Sequence, residues 1–385
     1  MQRDATGGYA VVQVEGEEVR AFVPDPLPPA PPLAIDDGVP RALEAAAAAL
    51  GRLDAFGAAA HPDAAALGYA CVRQEAIGSS RIEGIDVPLE ALLRVEVDGP
   101  SSTTGDDVLE VANHVRAIEQ GLGQLRQDRA VSNRLLRELH AVLLDSPRGQ
   151  RKMPGAFRRA QNWIGGPHPL SARYVPPPPA EVENCMAALE RFVHAADDRL
   201  PLLARTALAH AQFESIHPFL DGNGRVGRLL VTLMLRDLGL LREAVLPISA
   251  FLYRHRMAYY DLLNTVTATG NWEAWLEYFL EGVRAAADGT VALAGRMAEL
   301  FAADRRRIDD VGRRMRSAAR VHQALIAQPV VSIPVLRQRA EISFPAAANA
   351  IELLTEMGIT RQISVGARNR IFAYEAYLKL LSETD

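Results

Sequence analysis

Residues 217–228 read HPFLDGNGRVGR, which places a histidine, an aspartate, three glycines, an asparagine and two arginines in one short run. Histidine can take a proton near neutral pH. An aspartate beside phosphates suits Mg²⁺, which prefers a carboxylate together with phosphate oxygens. Arginine forks match phosphate oxygens. Arg225 and Arg228 are three residues apart, so both can project from one side of a helix's first turn. Gly222 and Gly224 permit left-handed or otherwise unusual backbone angles. His217, Asp221 and this cradle would supply a base, a metal carboxylate and an anion hole. Those parts transfer a phosphate-containing group to a hydroxyl. Singly, each has a plain structural reading: a helix-end histidine, an Asp-Gly turn, a solvated arginine face. The arrangement as a whole is harder to explain that way.

The letters GNGRVG also match the dinucleotide fingerprint G-x-G-x-x-G, which must follow a buried strand. Upstream stands LLARTALAHAQFESIHPF, in which Leu202, Thr206, Ala209, Phe213 and Ile216 recur at helical spacing. The preceding element is therefore a helix, and the dinucleotide reading fails. A Walker A loop fails as well, because no Gly-Lys-Ser/Thr follows. Pro218 ends the first helix soon after His217. RLLVTLMLRDLGL then opens a second helix, apolar on nearly all sides and so expected at the centre of the fold. Its free N–H groups and dipole favour an anion at its start.

The stretch resembles the Fic family signature H-x-F-x-[D/E]-G-N-G-R-x-x-R at every fixed position: His217, Phe219, Asp221, Gly222, Asn223, Gly224, Arg225 and Arg228. The resemblance extends to PGAFRRAQNWIGG, YVPPPP, WEAWLEYFLEGV, the N-terminal FVPDPLPP and the tail, and so covers most of the chain. It implies an all-helical Fic core and adenylylation, the transfer of AMP from ATP to a Ser, Thr or Tyr hydroxyl of a protein. On that resemblance His217 is the general base and Phe219 a hydrophobic anchor beneath the loop. Asp221 holds Mg²⁺. Gly222, Asn223 and Gly224 cradle the α-phosphate region, Arg225 lies on the β-phosphate side, and Arg228 reaches the γ-phosphate. A kinase-like branch of the family carries lysine for the second glycine; this chain keeps Gly224, which favours AMP transfer. The loop at 162–179 corresponds to the family's flap. Its extended tip, Ala172, Arg173, Tyr174 and Val175, is expected to dock a target by strand addition, with a plain surface hairpin as the alternative.

SSRIEG, residues 79–84, matches the family's inhibitory pattern [S/T]-x-x-x-E-[G/N] with Ser79, Glu83 and Gly84. Its place upstream of the core resembles the subgroup with an N-terminal inhibitory helix. Glu83 would then pair with Arg228 and compete with phosphate for the same fork. In some relatives this glutamate orients water to remove AMP, so a hydrolase on the same site stays open.

The 385 residues carry a net charge of −5, which gives no global pull toward nucleic acid or membrane. Between Arg305 and Arg370 stand twelve arginines, no lysine and five acids, a local +7 against about −12 elsewhere. The two cysteines, Cys71 and Cys185, form no C-x-x-C pair, which argues against a disulfide framework or zinc site. No signal peptide or membrane span is read, and a cytoplasmic protein is expected.

The expected fold is mainly α, with a small N-terminal β-hairpin, a Fic-type helical core with a short β flap, and a C-terminal winged helix-turn-helix. Residues 1–39 hold the hairpin and a Pro-rich strap, and 40–105 a helical region with the inhibitory helix. Residues 106–288 form the core, 289–328 a linker helix, and 329–385 the winged helix. Helices are expected near 40–60, 64–78, 88–96, 106–125, 132–145, 180–196, 202–217, 224–238, 255–268, 272–286 and 290–327. Two strands should flank a turn at Gly366. The tail is a candidate for docking DNA or a protein. Its presumed recognition helix, 344–357, has no Lys or Arg and offers only Asn349 and Glu352 as base readers, which tilts toward protein. A homodimer and a DNA-binding regulator with a nucleotide-sensing core remain further alternatives.

Overall fold

Two helices form the axis of the molecule. Helix α7 (Leu202–Ile216) buries every residue except Leu202 and Glu214. Helix α8 (Asn223–Asp237) buries all but Gly224, Arg236 and Asp237. A helix that is buried all round must lie inside others. Close approach of the pair needs a small residue at the crossing. A Cβ on Gly227 would stand 2.2 Å from Glu214 Oε1 and 3.1 Å from the Phe213 ring. The computed structural model describes residues 6–34, 38–58, 63–100, 104–127, 129–195, 199–242, 245–312, 315–364 and 369–383.

The hairpin is β1 (Gly7–Val14) and β2 (Glu17–Pro24), paired antiparallel. The Pro-rich strap that follows forms neither helix nor strand. Then come α1 (Gly38–Ala58), α2 (Ala64–Ile82), α3 (Leu89–Asp98), α4 (Asp106–Leu125), α5 (Asn133–Leu143) and α6 (Pro179–Val193). Beyond α8 lie α9 (Ser249–Arg254), α10 (Arg256–Thr269) and α11 (Trp272–Asp309). Ser132 caps α5, its hydroxyl accepting from Leu135 N–H at 3.2 Å.

Helix α2 runs one turn beyond the expected end at 78, because nothing in residues 79–82 breaks it. It stops at Gly84, whose φ of +84° suits glycine. Two contacts clamp it to α9. Gly78 lets Ala250 approach so closely that a Cβ would lie 3.2 Å from its nitrogen. One turn earlier, Glu75 is buried and accepts from Ser249 N–H at 3.0 Å and from its hydroxyl at 2.5 Å.

No break occurs at 288/289. Helix α11 is one rod of 38 residues, and the separate linker helix expected over 289–328 begins only at α12 (Met315–Ala327). Gly312, at φ +66°, lies between the two. The tail continues with β3 (Val330–Ser332), α13 (Ile333–Arg339), α14 (Phe344–Glu356), β4 (Thr360–Gln362), β5 (Ile371–Tyr374) and α15 (Glu375–Ser382). Its sheet is antiparallel in the order β3-β5-β4. The expected turn at Gly366 lies outside the described residues. The short elements α9, β3 and α15 were not expected from the sequence. The tail packs onto α2: Gln74 donates to Leu381 O at 3.1 Å and the Tyr377 hydroxyl to Ala66 O at 3.2 Å.

Replacing Ser132 by alanine leaves the Leu135 N–H unpaired at the start of α5. We expect a loss of ~1 kcal/mol in urea unfolding with an unchanged m-value. A change below a few tenths would show that the cap contributes nothing.

Candidate active site

His217 ends α7 in a left-handed conformation, φ 48° and ψ 61°, with its N–H on Phe213 O at 2.9 Å. Such a backbone costs a non-glycine residue ~1–3 kcal/mol and persists only where neighbours enforce it. The ring Nδ1 lies 3.3 Å from Glu214 O. A carbonyl can only accept, so Nδ1 carries the hydrogen and Nε2 keeps its lone pair. Burial pushes the imidazole down to about 4, and Arg158 acts the same way, while Glu83 and Asp221 oppose them. The ring is therefore neutral at neutral pH and able to accept a proton.

The loop after His217 is cross-braced. Phe219 is fully buried and stacks on His140, with ring centroids 3.8 Å apart. Its N–H donates to Asn223 Oδ1 at 2.7 Å, and its carbonyl accepts from Asn223 Nδ2 at 2.8 Å and Asn162 Nδ2 at 3.0 Å. The Asn223 amide is thus turned into the loop and away from any ligand; what Asn223 can offer a phosphate is its main-chain N–H. His140 accepts from Gly155 N–H at Nδ1, so its Nε2 is the donor to Asp221 O at 3.1 Å. Burial holds His140 neutral, with a pKa of about 4.

Gly222 has φ +76° and opens α8, as the left-handed expectation requires. Gly224 does not share that reason. Its φ is ordinary for a helix, and what excludes a side chain is space. A Cβ there would meet Glu83 Oε1 at 2.1 Å and Arg228 Nη1 at 2.9 Å.

The two arginines part company. Arg228 is fully buried but lines the cleft, and its Nε donates to Ser79 Oγ at 2.8 Å. Its Nη2 donates to Ser79 O at 2.9 Å and Glu83 Oε1 at 2.7 Å. Burial opposes the Glu83 charge, yet Arg228 outweighs it and holds the carboxyl below its usual range. Arg225 turns the other way, although it shares the helix's first turn. It is buried, pairs with Glu110 Oε2 at 2.9 Å and lies 3.8 Å from Asp221 Oδ1. Arg225, expected on the β-phosphate side, here stands behind the loop, drawn by a buried carboxylate on α4.

These groups surround a cleft of about 530 Å³, which His217, Asp221, Gly222, Asn223, Gly224 and Arg228 line from one side. From the other come Trp163 of the flap and Tyr260, Leu263, Asn264 and Thr267 of α10. Glu214 also lines it. Burial pushes its carboxyl up to about 7, and among the described residues its Oε1 meets no donor. Glu110, His140, Glu214 and the α10 residues were missed from the sequence, where no fixed spacing ties them to the loop.

Ser79 and Glu83 meet Arg228, as the spacing of α2 allows, while Gly84 lies just past the end of that helix. The flap residues are placed differently from the expectation. The flap's apex is a short 3-10 turn, Pro169–Ser171, and residues 172–175 form its return limb. One bridge joins Ile164 to Tyr174. Val175 O accepts from Phe22 N–H of β2 at 2.8 Å, and Arg173 forms an ion pair with Asp261 of α10. The Tyr174 hydroxyl donates to Ser215 O at 2.6 Å. With both sides engaged, Tyr174 and the Val175 carbonyl leave no open edge for an added strand.

Asp221 is 46 % exposed at the cleft, with Oδ1 accepting from Gly222 N–H at 2.6 Å. Among the described residues no three His, Cys, Asp or Glu side chains are grouped to hold a metal. The exposed loop carboxylate of Asp221 fits Mg²⁺ shared with a bound triphosphate, not a resident ion in an all-protein cage. No helix among the described residues is long and apolar enough to cross a membrane.

Comparison with known proteins bears on both halves of this site. A profile of the Fic/DOC family matches residues 130–235, and one of the Fic/DOC family N-terminal region matches 41–123. A probable protein adenylyltransferase of Aquifex aeolicus is 28 % identical over 192 residues, covering 50 % of this chain and 54 % of its own. Protein adenylyltransferase Fic of Culex quinquefasciatus is 30 % identical over 175 residues, 44 % of this chain and 31 % of its own. The chain thus spans about half the length of the first relative and a third of the second. A Fic family protein from Desulfovibrio desulfuricans superposes with a TM-score of 0.54 at 21 % identity, covering 89 % of this chain and 97 % of its own. A Fic domain containing signaling protein from Bacteroides thetaiotaomicron does so at 0.52 and 19 %, covering 66 % and 95 %. These two likenesses concern the fold, whereas the profiles span both the α7–α8 loop and the α2 motif that meets it. The chain thus carries a Fic/DOC family domain at residues 130–235, preceded by the family's N-terminal region at 41–123.

Proposed function

We propose that the protein is an autoinhibited adenylyltransferase that moves AMP from ATP to a hydroxyl of a target protein. One observation carries this reading: a neutral His217 stands at the same cleft as the start of α8, where Arg228 is held by Glu83. The hydroxyl proton passes to His217 Nε2 as the hydroxyl oxygen attacks the α-phosphorus. The bond from that phosphorus to the bridging oxygen breaks, and pyrophosphate leaves. The α8 N-terminus meets the negative charge. Mg²⁺, held by Asp221 and the phosphates, would neutralise charge on the leaving group.

In the resting state Glu83 occupies the guanidinium that a γ-phosphate needs. Ser79 holds Nε and shares Nη2 with Glu83. ATP can still enter, but with its α-phosphate misaligned. The exposure of Glu83, 37 %, supports a side chain that can swing away without moving the clamped α2. It also supports the hydrolytic alternative, in which this carboxylate orients water to remove AMP. Target docking by strand addition is assigned to residues 163–165. The main-chain groups of Trp163 and Gly165 have no hydrogen-bond partner among the described residues, and both residues line the cleft.

The element order of α12, β3, α13, α14, β4 and β5 supports a winged helix-turn-helix in the tail. Part of its positive charge is spent inside the molecule. Arg305 pairs with Asp63, Arg361 with Glu90 and Arg370 with Glu352, while Arg320 donates to Ala340 O and Glu341 O. Phe344, at the start of α14, is 49 % exposed. Both facts favour docking of a protein over DNA.

Incubation with labelled ATP and target should give little transfer by wild type. A charge-assisted hydrogen bond is worth roughly 1.5–3 kcal/mol, and partial exposure screens this one. Glu83→Gly should therefore transfer at least ~10-fold faster. Adding His217→Ala should lower that rate by ~10²–10⁴-fold. Equal rates for wild type and Glu83→Gly would remove the brake.

The pH profile of Glu83→Gly tests the base. A lowered pKa keeps the imidazole neutral further into acid, and deleting Glu83 removes a charge that favoured the protonated form. The rate should stay level from pH 8 down to about 5 and fall only toward pH 4. An acid limb centred near the unperturbed value of ~6.5 would contradict this environment.

Pre-adenylylated target separates the hydrolytic alternative. If Glu83 only inhibits, wild type and Glu83→Gln release AMP equally slowly. Release by wild type that Glu83→Gln abolishes would establish the hydrolase.

A further inference from the structure

We infer that Arg158 is a positioning residue for the transfer reaction, fixing the His217 backbone and tying it to the root of the flap. The inference rests on the adenylyltransferase reading, in which His217 is the base. Arg158 follows Phe157 in the PGAFRRAQNWIGG segment and has 2 % of its surface exposed. Among the described residues it has no carboxylate partner. Every donor it uses goes to a main-chain carbonyl. Nε donates to His217 O at 2.9 Å, and Nη2 to Pro177 O at 2.6 Å and Ile216 O at 3.4 Å. Nη1 donates to Ala160 O at 3.4 Å, and the Arg158 N–H to Pro218 O at 2.9 Å.

A buried cation without an anion is costly, so its surroundings must replace the missing charge. They do so with a helix end. Ile216 and His217 supply the last carbonyls of α7, where the helix dipole is negative. Arg158 is the cation that this end accepts. The same guanidinium holds the carbonyl of the left-handed residue and that of Pro177, where the flap's return limb runs into α6. Arg158 does not line the nucleotide cleft; it borders a separate hollow beside Arg137 and Glu183. Its effect therefore falls on how His217 and the flap are held, and not on how tightly ATP binds.

The test uses the full chain carrying Glu83→Gly, with Arg158→Gln and Arg158→Lys added. Three quantities are measured: ATP affinity by calorimetry, kcat for AMP transfer, and hydrogen exchange of peptides covering 213–222 and 172–178. Arg158→Gln should leave the ATP Kd within about threefold and lower kcat by ~100-fold, the scale of a small misplacement of a catalytic group. Exchange should rise in both peptides together. Arg158→Lys keeps a cation at the helix end but cannot span both carbonyls. It should recover part of the lost rate and protect 213–222 better than 172–178.

A folded Arg158→Gln protein with kcat within threefold of its background would overturn the inference. So would an ATP affinity that falls in step with kcat, which marks general damage. Where the glutamine variant does not fold, the lysine variant decides: full kcat with unchanged exchange overturns the inference. If the Glu83→Gly background itself transfers no AMP, the adenylyltransferase reading fails. The two exchange measurements still report whether Arg158 links the loop to the flap.

Discussion

A guanidinium buried between α2 and α8 is costly without an anion. Arg228 is fully buried, donates two of its hydrogen bonds to Ser79, and finds its charge partner in Glu83. An unpaired charge at that depth would cost several kcal/mol. The proposed alternation between rest and activity is thus a choice between two anions for one cation, a carboxylate of the chain or a phosphate of the nucleotide. The surroundings fit such an exchange. Gly224 leaves room where any side chain would strike Glu83 or Arg228, and the helix dipole favours negative charge from either source.

The loop of residues 217–222 spans two helix ends of opposite polarity. At the carboxyl end of α7, Arg158 meets the carbonyls; at the amino end of α8, free N–H groups face the cleft. His140 and Asn223 brace the chain between them. This bracing explains how His217 can hold a conformation that histidine does not favour. Arg225 belongs to the same scaffold: paired with Glu110 and near Asp221, it orders the loop from behind.

What could be read from the sequence follows from how local each signal is. The site loop lies between consecutive helices, so its residues share one spacing, and α2 presents Ser79 and Glu83 one turn apart. Glu110, Arg158, Glu214 and the α10 residues come from elements with no fixed distance to that loop, and their recruitment is a matter of tertiary packing. Separate helices are expected at 272–286 and 290–327, yet α11 continues through Gly289: an isolated glycine costs a helix only about 1 kcal/mol, and this rod is held by its packing on α1. At Gly224 a conformational reason was expected and a steric one was found. Helices α9 and α15 are too short for periodicity to mark. The flap's apex could not be placed because its return limb is fixed by the distant β2.

The central claim is that Glu83 and a γ-phosphate compete for Arg228. Crystal structures of wild type and Glu83→Gly with a non-hydrolysable ATP analogue and Mg²⁺ address it directly. The competition requires the γ-phosphate to sit on Arg228 in the variant, with the α-phosphorus open to in-line attack beside His217 Nε2. Wild type should retain the Glu83 pair and hold the α-phosphate elsewhere. The same α-phosphate position in both proteins, or a γ-phosphate away from Arg228 in the variant, would contradict it.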